Sequence, residues 1–372
     1  TIAEFRRRNR QSLARVLKHC ARLCLRLGLI GGNSLFVDGS KLRANASLDQ
    51  QWSEERCQKH LEQIDGRIEE ILAESERRDA AESEDGSLVR MEEELASAEK
   101  LRGKVAAILE QVQESESGTM NSTDADSVRI RDRHGSYVGY NLQMVVDEKE
   151  GLIVHSDVVN RNNDFGQLTE QVEGAPETLS RRSETVRADA GYCQYEDLEK
   201  LDRQGLKVIV PSKHQAGEST SKPFAKSAFC YESEADVYRC PAGQILRYRR
   251  LGGRNKREYR TDKGVCWQCC YFVDCTTDRK NGRLLVRYVN EEFRERIAAT
   301  FEQPDSQMIF GRRKQKAELP FGHIKRNLGA DYFLLRGLAG VRSEASLLAT
   351  CFNLARLISL IGVPVLIQRL AH

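Results

Sequence analysis

The chain of 372 residues has no uninterrupted run of about eighteen apolar residues and no basic start leading into an apolar secretory core. The expectation is a soluble, intracellular, cytoplasmic protein with no membrane partner. It also lacks a surplus of one charge, with 58 Lys and Arg against 55 Asp and Glu. Any attraction to a polyanion must then come from local runs. Its eleven cysteines form an odd set in a long, charge-rich chain. That pattern argues against a secreted disulfide framework and for reduced thiols or a metal cluster.

Local runs are present. Residues 1–30 carry eight basic residues against one acid, 48–117 carry twenty acids against nine bases, and from 240 onward bases outnumber acids about two to one. The opening run reads as a basic helix from Ile2 to Leu29. A chain that starts with Thr1 inside such a helix is expected to be a fragment, truncated at its N-terminus.

Three separated segments each deliver one carboxylate: Leu35-Phe-Val-Asp-Gly-Ser-Lys41, Val186-Arg-Ala-Asp-Ala-Gly-Tyr192 and Glu318-Leu-Pro-Phe-Gly-His-Ile-Lys325. In the first two, an apolar β-type run ends on the acid, which puts Asp38 and Asp189 at strand mouths. Taken singly, each Asp could be a turn residue. Together with Glu318 they form a minimal set for two Mg²⁺ or Mn²⁺ ions roughly 4 Å apart, which activate water and stabilise the leaving oxygen of a phosphodiester.

The order of elements supports that meeting. Tyr137 to Val146 and Leu152 to Val159 read as a β-hairpin, with Asn163 or Asp164 capping a helix near Phe165 to Val172. Thr185 to Ala188 reads as a strand, Tyr195 to Gln204 as a helix and Leu206 to Pro211 as a strand. This is the order of an RNase H-like mixed sheet flanked by helices, in which the strands bearing Asp38 and Asp189 are neighbours. His155 reads as a core or hairpin residue.

Two insertions interrupt the sheet. Leu61, Ile64, Ile68 and Leu72, then Leu88 through Val112, recur at helical spacing around a charged turn at Asp79 to Gly86, which predicts an antiparallel helical hairpin. Residues 220–285 hold Cys240-Pro-Ala-Gly, Cys266-Trp-Gln-Cys269 and Cys275, with little apolar core of their own. Cys240, Cys266, Cys269 and Cys275 could bind a structural Zn²⁺, stay as reduced thiols or form a disulfide. Cys20, Cys24 and Cys351 read as buried small apolar residues, and Leu347, Leu348, Leu354, Leu357, Ile358 and Ile361 as the core face of the last helix.

Around the third acid, Glu318 and Lys325 share a face if the helix is continuous, though Pro320 predicts a kink or a helix start. These segments, with Gly139-Tyr-Asn-Leu-Gln143 and Asn353-Leu-Ala-Arg356, resemble in shared order and spacing the DDE transposases of bacterial insertion sequences. The resemblance runs over nearly the whole chain. It implies Asp38, Asp189 and Glu318 as catalytic metal ligands, and Lys325 as a phosphate contact with a weaker claim for Arg313. Lys41 and Arg326 complete the expected DNA-binding set. The implied partners are double-stranded DNA, at transposon ends and target, and a second copy in a homodimer near the nucleoid.

The resulting expectation is metal-dependent strand cleavage and transfer at insertion-sequence ends. A catalytically inactive truncated transposase, acting only as a DNA-binding or dimerisation module, is the alternative, and a general nuclease of the same fold is a third. The expected layout is a basic helical segment at 1–34, a catalytic core from 35–49, 119–219 and 286–372, the hairpin at 50–118 and the Cys-rich insertion at 220–285.

Overall fold

A computed structural model describes residues 4–5, 8–79, 87–115, 117–216, 223–253 and 256–370. They fall into two compact units, 1–187 with 312–372, and 188–311. Most of the turn expected at Asp79 to Gly86 lies outside the described residues, as do parts of the basic N-terminal run.

The first unit opens with α1 (Arg10–Arg26), whose buried stripe is Leu17, Cys20, Ala21 and Cys24. Next comes β1 (Ser34–Arg43), apolar and fully buried from Leu35 to Val37. β2 (Gln51–Ser53) leads into α2 (Glu54–Asp79) and α3 (Ser87–Glu114), and β3 (Thr119–Asn121) returns beside β2. Cys57, Ile64, Val105, Val112 and Met120 cluster between the two helices, and Arg102 Nε reaches Asp65 at 2.6 Å. The expected hairpin forms because each helix has only a narrow apolar stripe, which it buries against its partner.

β4 (Val128–Asp132), β5 (Gly135–Asp147) and β6 (Ile153–Val159) follow, then α4 (Leu168–Gly174), α5 (Pro176–Leu179) and β7 (Thr185–Arg187). β5 is the spine, antiparallel to β1, β4 and β6, while β7 runs parallel to β1 in the register Ser34↔Thr185, Leu35↔Val186 and Phe36↔Arg187. The sheet is therefore mixed, with helices against it, and consistent with an RNase H-like fold.

In the second unit, α6 (Tyr195–Arg203), β8 (Lys207–Ile209) and the short α7 (Lys213–Ala216) precede β9 (Cys230–Glu232), β10 (Val237–Arg239), β11 (Ile245–Gly252), β12 (Lys256–Arg260) and β13 (Leu284–Tyr288). The last five form an antiparallel meander. Phe229, Tyr238, Leu246, Tyr259 and Leu285 bury together on it. This corrects the expectation of little apolar core, because three of those five side chains are large aromatics that cover much area per residue. α8 (Glu291–Glu302) and α9 (Pro304–Gly311) close the unit.

The chain then re-enters the first unit as α10 (Arg313–Lys316) and α11 (Glu318–Gly322), a π-helical turn at His323–Asn327, α12 (Leu338–Ile361) and α13 (Val363–Leu370). Pro320 sits in the first turn of α11, where its missing N–H costs no helical bond. α12 is long and apolar enough by composition to cross a membrane, yet it packs within the unit on α1 and β6. Its buried face also differs from expectation. Leu357 is buried, but Leu354 and Ile358 are 42% and 45% exposed, and Gly340, Ser343, Ala345, Ser346 and Ala349 face inward. Small residues let α1 approach closely enough for Leu17 N to reach Ser346 Oγ at 3.4 Å. Asn353 donates to Ile153 O and accepts from Ile153 N, both at 2.8 Å, on β6.

Candidate active site

Asp38 lies inside β1, not at the mouth expected for it, because the strand runs on past the apolar residues and stays paired with β5 through Arg43. Asp38 remains 6% exposed, and its Oδ1 accepts from Gly39 N at 2.9 Å and from Arg313 Nη2 at 3.1 Å. The Arg313 Nη1 lies 3.8 Å from Glu318 Oε1. One guanidinium thus stands between two of the three expected acids, from residues some 280 positions apart. α10 supplies the arginine and the first turn of α11 the glutamate, whose side chain is 48% exposed. Two carboxylates turned toward one positive group have the donor chemistry that a hard divalent cation needs.

The other face of β1 carries a second charge cluster. Lys41 Nζ donates to both oxygens of Asp164, at 2.8 and 2.9 Å, and Asn141 Nδ2 and Gln143 Nε2 each reach Asp164 Oδ1 at 2.8 Å. Burial opposes the ionised carboxylate, but the Lys41 ammonium and these N–H donors outweigh it and hold Asp164 below the usual carboxylate range. Asp164 is therefore no helix cap; α4 begins after Gln167, and Asn163 Oδ1 accepts from Phe165 N in the loop. The usable signal was Asn141 and Gln143, two amides at strand period in the Gly139 to Gln143 motif.

Lys325 bonds β1 directly, its Nζ donating to Ser40 Oγ at 2.6 Å and Lys41 O at 3.2 Å. Burial lowers its pKa, nearby Lys41 lowers it too, and Asp331 opposes them. It reaches the strand from the π-helical turn, where Leu328 N bonds His323 O. Such turns recur at functional sites because they re-aim side chains. Arg326, next along the turn, is exposed.

Asp189 belongs to the second unit. It caps a 3₁₀ turn at Ala190–Tyr192, its Oδ1 accepting from Gly191 N at 2.8 Å. Also in that unit, Cys240, Cys266, Cys269 and Cys275 line one cavity of about 20 Å³. All four are free thiols. Burial raises the Cys275 thiol's pKa, and the other three sulfurs add to that rise while Arg283 opposes it. Among the described residues, no group of three or more His, Cys, Asp or Glu side chains is closed around a metal position. His155 lies against Gly174, where an added Cβ would come within 2.3 Å of its ring, and burial lowers its pKa.

A profile of the transposase DDE domain matches residues 84–354. The chain belongs to that family. No curated protein and no solved structure matches it. The matched span of this transposase includes Asp189 and Glu318 and begins after Asp38. Members of the family act on DNA in transposition and generally use divalent metal ions.

Proposed function

We propose that this transposase domain cleaves and transfers DNA strands at the ends of its own element, using Asp38, Asp189 and Glu318 as ligands for two Mg²⁺ or Mn²⁺ ions. The carrying observation is the guanidinium of Arg313 between Asp38 and Glu318. Asp189 joins them on the support of the family match, whose span contains it together with Glu318. When bound, the ions supply water activation and stabilisation of the leaving oxygen. Asp38, buried on a strand, gives a fixed ligand, and the half-exposed Glu318 an adjustable one. Lys325, Arg326 and Arg313 offer cations to the phosphodiester backbone, whereas the expected contact Lys41 has its ammonium held by Asp164, and binding weakens as salt rises. Paired ends call for a homodimer on double-stranded DNA in the bacterial nucleoid.

The test is nicking of terminal-repeat DNA in Mg²⁺ by the wild type and by Asp189→Ala. Retained cleavage by the variant rejects the mechanism, and cutting of DNA without the ends favours a general nuclease. The second reading, a DNA-binding or dimerisation module without catalysis, draws on the matched span that leaves Asp38 outside. It expects salt-sensitive binding and no metal-dependent nicking.

For the cysteine cluster we read a structural Zn²⁺ held by Cys240, Cys266, Cys269 and Cys275. Support comes from their common cavity and from Gln244 N–H donating to Cys240 Sγ at 3.3 Å; the four are not closed around a metal position, so binding requires them to draw together. Elemental analysis of the purified chain decides it: one zinc per chain upholds the site, and four titratable thiols without metal reject it.

A further inference from the structure

We infer that Asp164 is a positioning residue for the Asp38 carboxylate, an assignment that rests on the active-site reading above. Asp38 is followed by Gly39, which has no side chain to pack, so on that face of β1 the strand beyond the acid is held by its pairing with β5 and by the side chain of Lys41. Lys41 pairs in register with Asn141, and Gly39 with Gln143. Side chains alternate across a strand, so Lys41, Asn141 and Gln143 share one face, while Asp38 and Ser40 share the other. Asp164 gathers all three donors of the first face, and Lys325 grips Ser40 on the second.

This cluster differs from an ordinary surface ion pair. The Lys41 and Asp164 side chains are 21% and 18% exposed, and Asn141 and Gln143 are wholly buried. Both oxygens of Asp164 accept N–H bonds, and its ligands lie across the strand from Asp38, which makes it a clamp rather than a further metal ligand. The loop that carries it joins β6 to α4. It therefore ties β1 and β5 together at the level of Gly39 through Lys41.

The consequence is mechanical. Misplacing a reacting group by about 1 Å costs on the order of a hundredfold in rate. Replacing Asp164 by Asn removes the charge that draws in Lys41 while keeping the shape, so β1 beyond Asp38 keeps its pairing with β5 but loses its side-chain anchor on one face.

The experiment measures Mn²⁺ binding without DNA, by electron paramagnetic resonance of the free ion, and single-turnover cleavage of terminal-repeat DNA, well below the unfolding temperature. Asp164→Asn is expected to raise the half-saturating Mn²⁺ about tenfold and slow cleavage about a hundredfold, with DNA affinity within about twofold of wild type. Gln143→Leu keeps both charges and removes one donor; it serves if the first variant fails to fold, with an expected rise of about threefold in half-saturating Mn²⁺. Wild-type Mn²⁺ binding and cleavage in the folded variants would overturn the inference, as would a loss of DNA binding in proportion to cleavage, the mark of a general structural defect. Asp38→Ala separates the two levels of argument. If Asp38→Ala cleaves normally, the active-site reading has failed; if Asp38 is essential and Asp164 is not, only the clamp has failed.

Discussion

Both units join arginine or lysine to carboxylates, but in different surroundings. Around β1, Arg313 and Asp38 leave 14% and 8% of their side chains exposed, and Lys41 and Asp164 about a fifth each. On the meander of the second unit, Arg247 and Asp262 are 55% and 62% exposed, and Arg239 and Glu232 are 47% and 37%. Water screens the second kind, so breaking one changes little. The first kind has lost its water, and removing one partner strands a charge. Pairing alone therefore says little about importance, and burial sorts the two sets.

The comparison can be tested from the largest expected effect downward. Alanine at Asp38, Asp189 or Glu318 should reduce Mg²⁺-dependent nicking by at least about a thousandfold, a barrier increase of roughly 4 kcal/mol, with DNA binding retained. Gel assays at matched protein concentration measure it. If Asp38→Ala proves mild, the buried pairs lose their claim to special status.

Next is Asp164→Asn, expected to cost about 3 kcal/mol of stability at neutral pH. The folded carboxyl titrates below its unfolded value, near 4. Its contribution is thus complete above about pH 4 and fades as pH falls through the folded pKa. Denaturant melts of wild type and variant should converge in acid, and a gap that persists there would contradict the charge-based account.

Arg287 sharpens the contrast from inside the second unit. Its side chain is 9% exposed and lies 3.8 Å from the Tyr231 ring centroid, while its acidic neighbours Glu292 and Glu295 are 92% and 59% exposed. Arg287→Met should cost about 2 kcal/mol through lost ring and packing contacts. Glu292→Gln should leave the melting temperature unchanged. The smallest effect is expected at Arg239 and Glu232, joined at 2.8 Å and both well exposed on the meander. Either glutamine variant should melt with the wild type, and a clear shift would show that exposure is a poor guide.

Much of this arrangement was legible in the residues. The β5–β6 hairpin, the strand at Thr185 and the helix from Tyr195 stand where alternation and turn chemistry put them, because these signals are local. Asp164 was misread for the complementary reason. A carboxylate shortly before a helix looks like a cap, and its real partners lie 23 and 123 positions away. The inner face of α12 was hidden too, since the leucines dominate its composition while Ser346 and Ala349 govern how closely α1 can pack. Likewise, Glu318 and Lys325 share their helical spacing on paper, but a π-helical turn intervenes and Lys325 ends on Ser40.

Asn353 has a consequence for the chain outside its chemistry. β6 borders the sheet, and an uncovered border strand invites a strand from another molecule to add on and begin a fibre. By offering an amide oxygen and an amide N–H to one residue, Ile153, Asn353 imitates the neighbour that is missing there. Replacing it with leucine would reopen that seam, and the penalty would be seen as aggregation during expression.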